Sequence, residues 1–255
     1  MSILEEKEVE NPLGLAAWVF NSLSHELTVC GTVDFPDGEN SPWSELQTEV
    51  ESAVLLEAAA FICNRAFSEC RRLERVQIPK SVKFIGDEAF SNCSELKAVA
   101  IPDSVEKIGS RAFFCCYISS IKIPKSVISF NKTPFGYCNN LEVIDVLENP
   151  NFVFIDGVLM DSEMTQIIFC IPSKTGAYTI PNTVSTICAG AFAKCEELTM
   201  ITIPGSVKEI EEEVFFGCSA LTSVVVSGSI SVIAKRTFSE CLGLTSITIP
   251  NSVKE

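Results

Sequence analysis

Apolar and polar residues in this chain repeat one phrase, A-F-x-x-C-x-x-L-x-x-V/I-x-I-P-x-S-V-x-x-I, seen in full from Ala66 to Ile85. Its phenylalanines stand at Phe67, Phe90 and Phe113, then at Phe192, Phe215 and Phe238, 23 residues apart within each group. A fixed period of this length marks a stack of like units, each too small to bury its own apolar side chains and closed only by its neighbours. In one copy, Leu96 leads into an alternation through Val99 and Ile101, which predicts a short strand with those two residues inward. Pro102 ends that strand. Ser104-Val105 opens a second extended piece reaching Ile108, and Gly109 to Phe113 reads as a turn or single helical turn that carries the ring inside.

The copies vary in interpretable ways. From Cys116 to Pro124 the phrase is one residue shorter than from Cys93 to Pro102, and Ile118 replaces the leucine; a turn absorbs such a deletion without changing strand register. Asn149 to Met160 breaks the pattern, and Asp156-Gly157 between alternating apolar residues predicts a β-hairpin within a variant coil at about 149–179. Leu27 to Val33 predicts a strand, Pro42-Trp43 a cover for an apolar edge, and residues 1–24 a short amphipathic helix around Trp18 and Phe20. The expected division is an acidic amino-terminal region and cap over 1–60, then repeats over 61–255. Asn251 to Glu255 opens a further coil, so either the chain is cut from a longer protein or its last strand is a bare edge inviting self-association.

Composition narrows the function classes. The chain has 255 residues, 47% of them hydrophobic, which excludes general disorder. No apolar run reaches the length of a membrane span, so no membrane insertion by this chain is expected. Glu5, Glu6, Glu8 and Glu10 precede the short apolar stretch Leu13 to Phe20, unlike a secretory signal. The formal net charge is -14, and residues 1–60 carry 12 acidic side chains against Lys7 alone. Nucleic-acid binding is not expected from that balance, because phosphates require clustered cations. Arg71, Arg72, Arg75, Lys80 and Lys83 form one basic cluster, read as solvated repeat surface or as a docking spot for an acidic partner.

Of twelve cysteines, Cys70, Cys93, Cys116, Cys138, Cys195, Cys218 and Cys241 occupy one repeat position, three residues after a phenylalanine. That placement predicts a ladder of small buried side chains holding reduced, structural thiols, although neighbouring rungs are close enough for pairing. A linear ladder with a single histidine, His25, offers no zinc cluster.

The units from Ala89 to Gly109 and from Ala191 to Ile210 resemble the BspA-type leucine-rich repeat. Leu27 to Thr32 with Pro42-Trp43 resembles that family's amino-terminal cap, and Phe154 to Met160 its insertion coil, so the resemblance spans residues 27–255. It implies an α/β leucine-rich-repeat solenoid, a curved stack of coils with a parallel β-sheet on the concave face. Members occur in oral and gut bacteria and in parasitic protists, and several look like surface adhesins that bind host proteins.

In such a sheet the outward residues flanking each inward Val or Ile form the expected partner-binding face. These are Arg75, Gln77, Ala98, Ala100, Ser120, Lys122, Val143 and Asp145, continuing with Met200, Thr202, Ser223, Val225, Ser246 and Thr248. The hairpin at Asp156-Gly157 is a second candidate for recognition. Enzymatic readings find little support, since general acid–base work needs converging groups. His25 near Cys30 lacks a catalytic frame, and Glu211-Glu212-Glu213 reads as a solvated acidic corner. No catalytic, cofactor-binding or metal residue is assigned. The expected function is a non-enzymatic protein-binding solenoid acting in cell-surface adhesion, with an intracellular scaffold or a repeat stalk of a larger surface protein as alternatives. Location stays open: cell surface if an anchor or export signal belongs to the full protein, otherwise cytoplasm.

Overall fold

The structure, a computed structural model, describes residues 4–9, 16–31, 41–227, 230, 232–245, 247 and 252–253. The chain divides into two compact units, Met1–Cys138 and Asn139–Glu255. Each is built from coils of the predicted kind. Among the described residues there is no α-helix, only a 3-10 turn at Ser44–Leu46, so the expected helical component is absent. The returns are too short for it: the chain must reverse within the few residues between one strand and the phenylalanine.

In the first unit, Glu26–Cys30, Ser52–Leu55 and Arg75–Gln77 lie side by side as parallel strands, with Leu27 opposite Ala53 and Ala53 opposite Val76. The described part of residues 1–24 does not form the expected helix. Leu4–Val9 and Ala16–Asn21 pair as an antiparallel hairpin, and the second of these strands joins Glu26–Cys30. Alternation explains the difference. Trp18 and Phe20 are buried, two residues apart, and face the same side as their partners Val29 and Leu27, a period of two that suits a strand.

A second parallel sheet in this unit contains Phe61–Ile62, Phe84–Ile85, Lys107–Ile108 and Ser129–Phe130, with Ile62, Ile85 and Ile108 in register and buried. One departure concerns residues 97–101, which form no strand although Val99 is buried between exposed Ala98 and Ala100.

The core of the first unit is a column of rings. Trp43 stands in the phenylalanine position of the cap, its centroid 5.6 Å from Phe67, and its indole Nε1 donates to the carbonyl of Ala66 at 2.8 Å. Phe67, Phe90 and Phe113 follow at 5.3 and 5.5 Å with nearly parallel planes, inside the range where offset aromatic pairs attract. The second unit repeats the device through Tyr178, Phe192, Phe215 and Phe238 at 5.8, 5.4 and 5.6 Å.

The returns solve a hydrogen-bonding problem. Alternate amides of the first return, at Arg65, Phe67 and Glu69, donate to the carbonyls of Asp87, Ala89 and Ser91 in the next coil. The intervening amides of Ala66, Ser68 and Cys70 donate backwards within their own coil, to Cys63, Arg65 and Phe67. All six amides of this return are thus satisfied, as buried amides must be. The geometry requires left-handed residues at two positions per return, Arg65 and Glu69, then Glu88 and Asn92, then Arg111 and Cys115. Such conformations cost about 1–2 kcal/mol each outside glycine, offset here by the inter-coil bonds they aim.

In the second unit, Phe152–Ile155 and Val158–Asp161 form a hairpin whose turn is Asp156-Gly157, with φ of 51° and 78°. Positive φ at both central residues is the primed turn that matches strand twist. The strand Gln166–Cys170 then pairs antiparallel with the hairpin and parallel with Thr186–Ile187.

Candidate protein-binding face

Parallel register converts sequence period into a surface. In the second unit, Gly176–Thr179, Leu198–Ile203 and Ser223–Val226 are parallel neighbours. Ala177, Met200 and Ser223 align in one row, and Thr179, Thr202 and Val225 in the next. Between the rows, Tyr178, Ile201 and Val224 point into the core. Met200 and Val225 keep 41% and 44% of their surface exposed, the apolar part of a strip with no charged side chain. Ala177 and Thr179 were not in the predicted set; the Ile180-Pro181 pair that ends their strand is the sequence signal that marks them.

In the first unit, Arg75 and Gln77 are exposed and align with Ser52 and Val54, which in turn align with Glu26 and Thr28. Ser120 and Lys122 flank buried Ile121 on a strand of their own. Ala98 and Ala100 are exposed on unassigned backbone. Of the two predicted residues at the start of the second unit, Val143 is 53% exposed, while Asp145 Oδ1 accepts the Leu147 amide at 3.0 Å and serves a turn. Ser246 and Thr248 lie outside the described residues.

The arginines of the basic cluster are occupied. Arg71 pairs with Glu69, Arg72 with Glu51, and Arg75 with Glu74. Glu213 pairs with Arg236 at 2.7 Å, and Glu211 accepts the Ala189 amide, so that acidic corner closes the return. His25 lies in the turn before the strand Glu26–Cys30 and Cys30 at its far end, about 17 Å away at strand rise, so the two do not form a pair. The hairpin is pinned by Lys174, 8% exposed, whose Nζ donates to the carbonyl of Asp156 at 2.8 Å and pairs with its carboxylate at 2.5 Å. Tyr178 lies under the same ammonium, 4.8 Å from its ring centre, and burial raises its hydroxyl pKa to about 12.

The cysteine ladder does more than fill space. Cys93, Cys116 and Cys138 each donate a thiol hydrogen to a phenylalanine carbonyl of the preceding coil, at 3.1, 3.0 and 2.9 Å. Cys218 and Cys241 repeat the contact at 3.1 and 3.0 Å. None of the seven ladder thiols is joined in a disulfide. Burial, with a smaller push from Glu69, raises Cys70 from its usual 9.0 to about 12. Cys93 and Cys138 are raised for the same first reason. Cys195 is raised by its contact with Cys170 and then by burial. Thiols held protonated in this way are poor nucleophiles.

The BspA type leucine rich repeat region model matches residues 60–176 and 162–255, with six copies. The chain belongs to this family. As a BspA-type leucine-rich repeat it is an interaction module of repeats, and no enzymatic family is indicated. No curated protein matches the chain. Solved structures share its fold. A leucine-rich repeat protein from Eubacterium ventriosum is 22% identical, with a TM-score of 0.71 over 92% of this chain and 76% of that one. A leucine rich cell surface protein from Faecalibacterium prausnitzii is 20% identical, with a TM-score of 0.70 over 97% and 83%. The pneumococcal vaccine antigen PcpA is 17% identical, with a TM-score of 0.59 over 97% and 71%.

Proposed function

We propose that this BspA-type repeat protein is a cell-surface adhesin that binds a protein of a host or neighbouring cell through its outward strand positions. The observation that carries the reading is the uncharged strip of Ala177, Thr179, Met200, Thr202, Ser223 and Val225, in a chain of which 20% is charged. Depletion of charge with an apolar centre is what distinguishes the middle of a protein interface from ordinary surface. The more polar positions of the first unit, Arg75, Gln77, Ala98, Ala100, Ser120 and Lys122, supply a second contact area of different character, and Val143 continues it in sequence. The adhesive version is supported by the same fold in a leucine rich cell surface protein and in a vaccine antigen.

Antibody labelling of intact against permeabilised cells tests the location. Labelling of intact cells is expected; signal only after permeabilisation overturns adhesion and leaves an intracellular scaffold. The face is tested by a Met200→Asp, Val225→Asp double variant in a cell-binding assay with purified protein. Exposed positions tolerate such changes with little loss of stability, so at least a tenfold loss of binding at unchanged fold is expected. Full binding by the double variant refutes the strip.

A further inference from the structure

The left-handed returns of the first unit line a polar trough of about 400 Å³. That volume lies within the range of small-molecule sites. Its floor is made by two small residues in the position after the phenylalanine, Ser68 and Ser91. One wall is the column of left-handed Arg65, Glu88 and Arg111. The facing wall is Glu69 and Asn92, and the floor ends where Phe114 takes the serine position in the third coil.

The walls are held in place by contacts among themselves. Arg65 Nε donates to Glu88 at 2.8 Å, and Asn92 Nδ2 donates to Glu69 Oε1 at 2.7 Å. Arg71 binds the other oxygen of Glu69. Each of these planar groups keeps donors or acceptors unused: a second carboxylate oxygen on Glu88, an amide oxygen on Asn92, and the remaining guanidinium hydrogens of Arg65. Arg111 lies over the Phe114 ring at 5.1 Å and makes no ion pair among the described residues.

Charge selects the ligand class. Arg65 and Arg111 balance Glu69 and Glu88, so the trough is neutral and mixes donors with acceptors at coil spacing. A phosphate or carboxylate ligand would meet as many carboxylates as guanidiniums. A hydroxyl, which donates and accepts at once, fits either side. Three coils line the trough, with Ser41 and Gln47 of the cap at one end; the coils lie about 4.8 Å apart, giving a length of about 10 Å across them, suited to two pyranose rings. Half-buried Phe114 adds an apolar contact at the end of the trough.

We propose that this trough binds a neutral oligosaccharide, one sugar ring per coil step. The site shares no residue with the strand faces, and its failure would leave the protein-binding reading untouched.

The test uses the full chain on an array of neutral di- to tetrasaccharides together with their sialylated and sulfated counterparts. Saturable binding of at least one neutral oligosaccharide is expected, with no preference for the anionic forms. Ser68→Phe should reduce it at least tenfold by filling the floor. The coil accepts that side chain, because Phe114 and Phe216 already stand at the equivalent position; a far-UV spectrum checks the fold. Exposed Arg111→Ala, which removes no buried group, should weaken binding several-fold in any case. Absence of neutral-sugar binding, preference for anionic sugars, or unchanged binding in Ser68→Phe with its fold intact would each overturn the proposal.

Discussion

Replacing Cys93 by alanine or by serine separates two roles of the cysteine ladder. Cys93 is fully buried, and its thiol donates to the Phe67 carbonyl at 3.1 Å. That carbonyl also accepts the Cys70 amide at 3.2 Å, so losing the thiol does not orphan it. Alanine removes one heavy atom from a packed site, which by the cost of comparable core truncations is about 1 kcal/mol. The lost hydrogen bond adds about 0.5–1 kcal/mol, the low end because a thiol is a weak donor. The sum is about 2 kcal/mol for Cys93→Ala. Serine keeps a donor aimed at the same carbonyl and nearly fills the site, so Cys93→Ser should cost about 1 kcal/mol. Were the ladder only apolar filling, the order would reverse, because a buried hydroxyl costs more than a methyl. Urea unfolding followed by tryptophan fluorescence reads both variants, since Trp43 packs against the ring of Phe67. Cys93→Ala more stable than Cys93→Ser would refute the hydrogen-bonding role.

Glycine at the start of a return is set by close approach. A Cβ on Gly86 would meet the Asn64 amide nitrogen and the Cys63 carbonyl carbon at 2.6 Å, whereas one on Gly205 meets nothing nearer than 3.4 Å. Gly86→Ala is therefore expected to cost about 3 kcal/mol or more, with Gly205→Ala near neutral in the same urea titration; equal midpoints would contradict the packing. Alkaline pH should destabilise the protein through Cys70. Between the usual 9.0 and its folded value of about 12 the unfolded thiol loses its proton while the buried one keeps it. The folded state then binds more protons and stability falls as pH rises, by up to about 1.4 kcal/mol per pH unit for such a thiol. Urea midpoints at pH 7.5, 9.5 and 10.5 should decline, and a flat series would rule this out.

The period and the core were legible because they depend on large apolar side chains at fixed intervals: Phe67, Phe90 and Phe113 are the rings that stack. Outward positions such as Met200 and Val225 followed from alternation once the strand was placed. The amino-terminal hairpin was not legible, because Trp18 and Phe20 with few neighbours fit a helix face or a strand. The left-handed conformations of Arg65, Glu88 and Arg111 left no trace, since glycine is the usual signal and those sites carry charged residues. The thiol bonds were hidden for a similar reason. Composition shows a small buried residue, and only the next coil's position reveals the carbonyl in front of it. The trough was invisible in the sequence because its walls come from residues 23 apart whose meeting depends on coil stacking.

The inter-coil bonds also have a mechanical meaning. Return amides at Arg65, Phe67 and Glu69 point along the direction in which coils are added. Tension applied along that direction therefore loads one rung at a time and peels the stack, where a shear geometry would load many rungs together. Each peeled coil releases its 23 residues, about 80 Å of extended chain at roughly 3.4 Å per residue. Such a unit yields in small steps under load and re-forms against the coil beneath, an extensible tether more than a rigid strut.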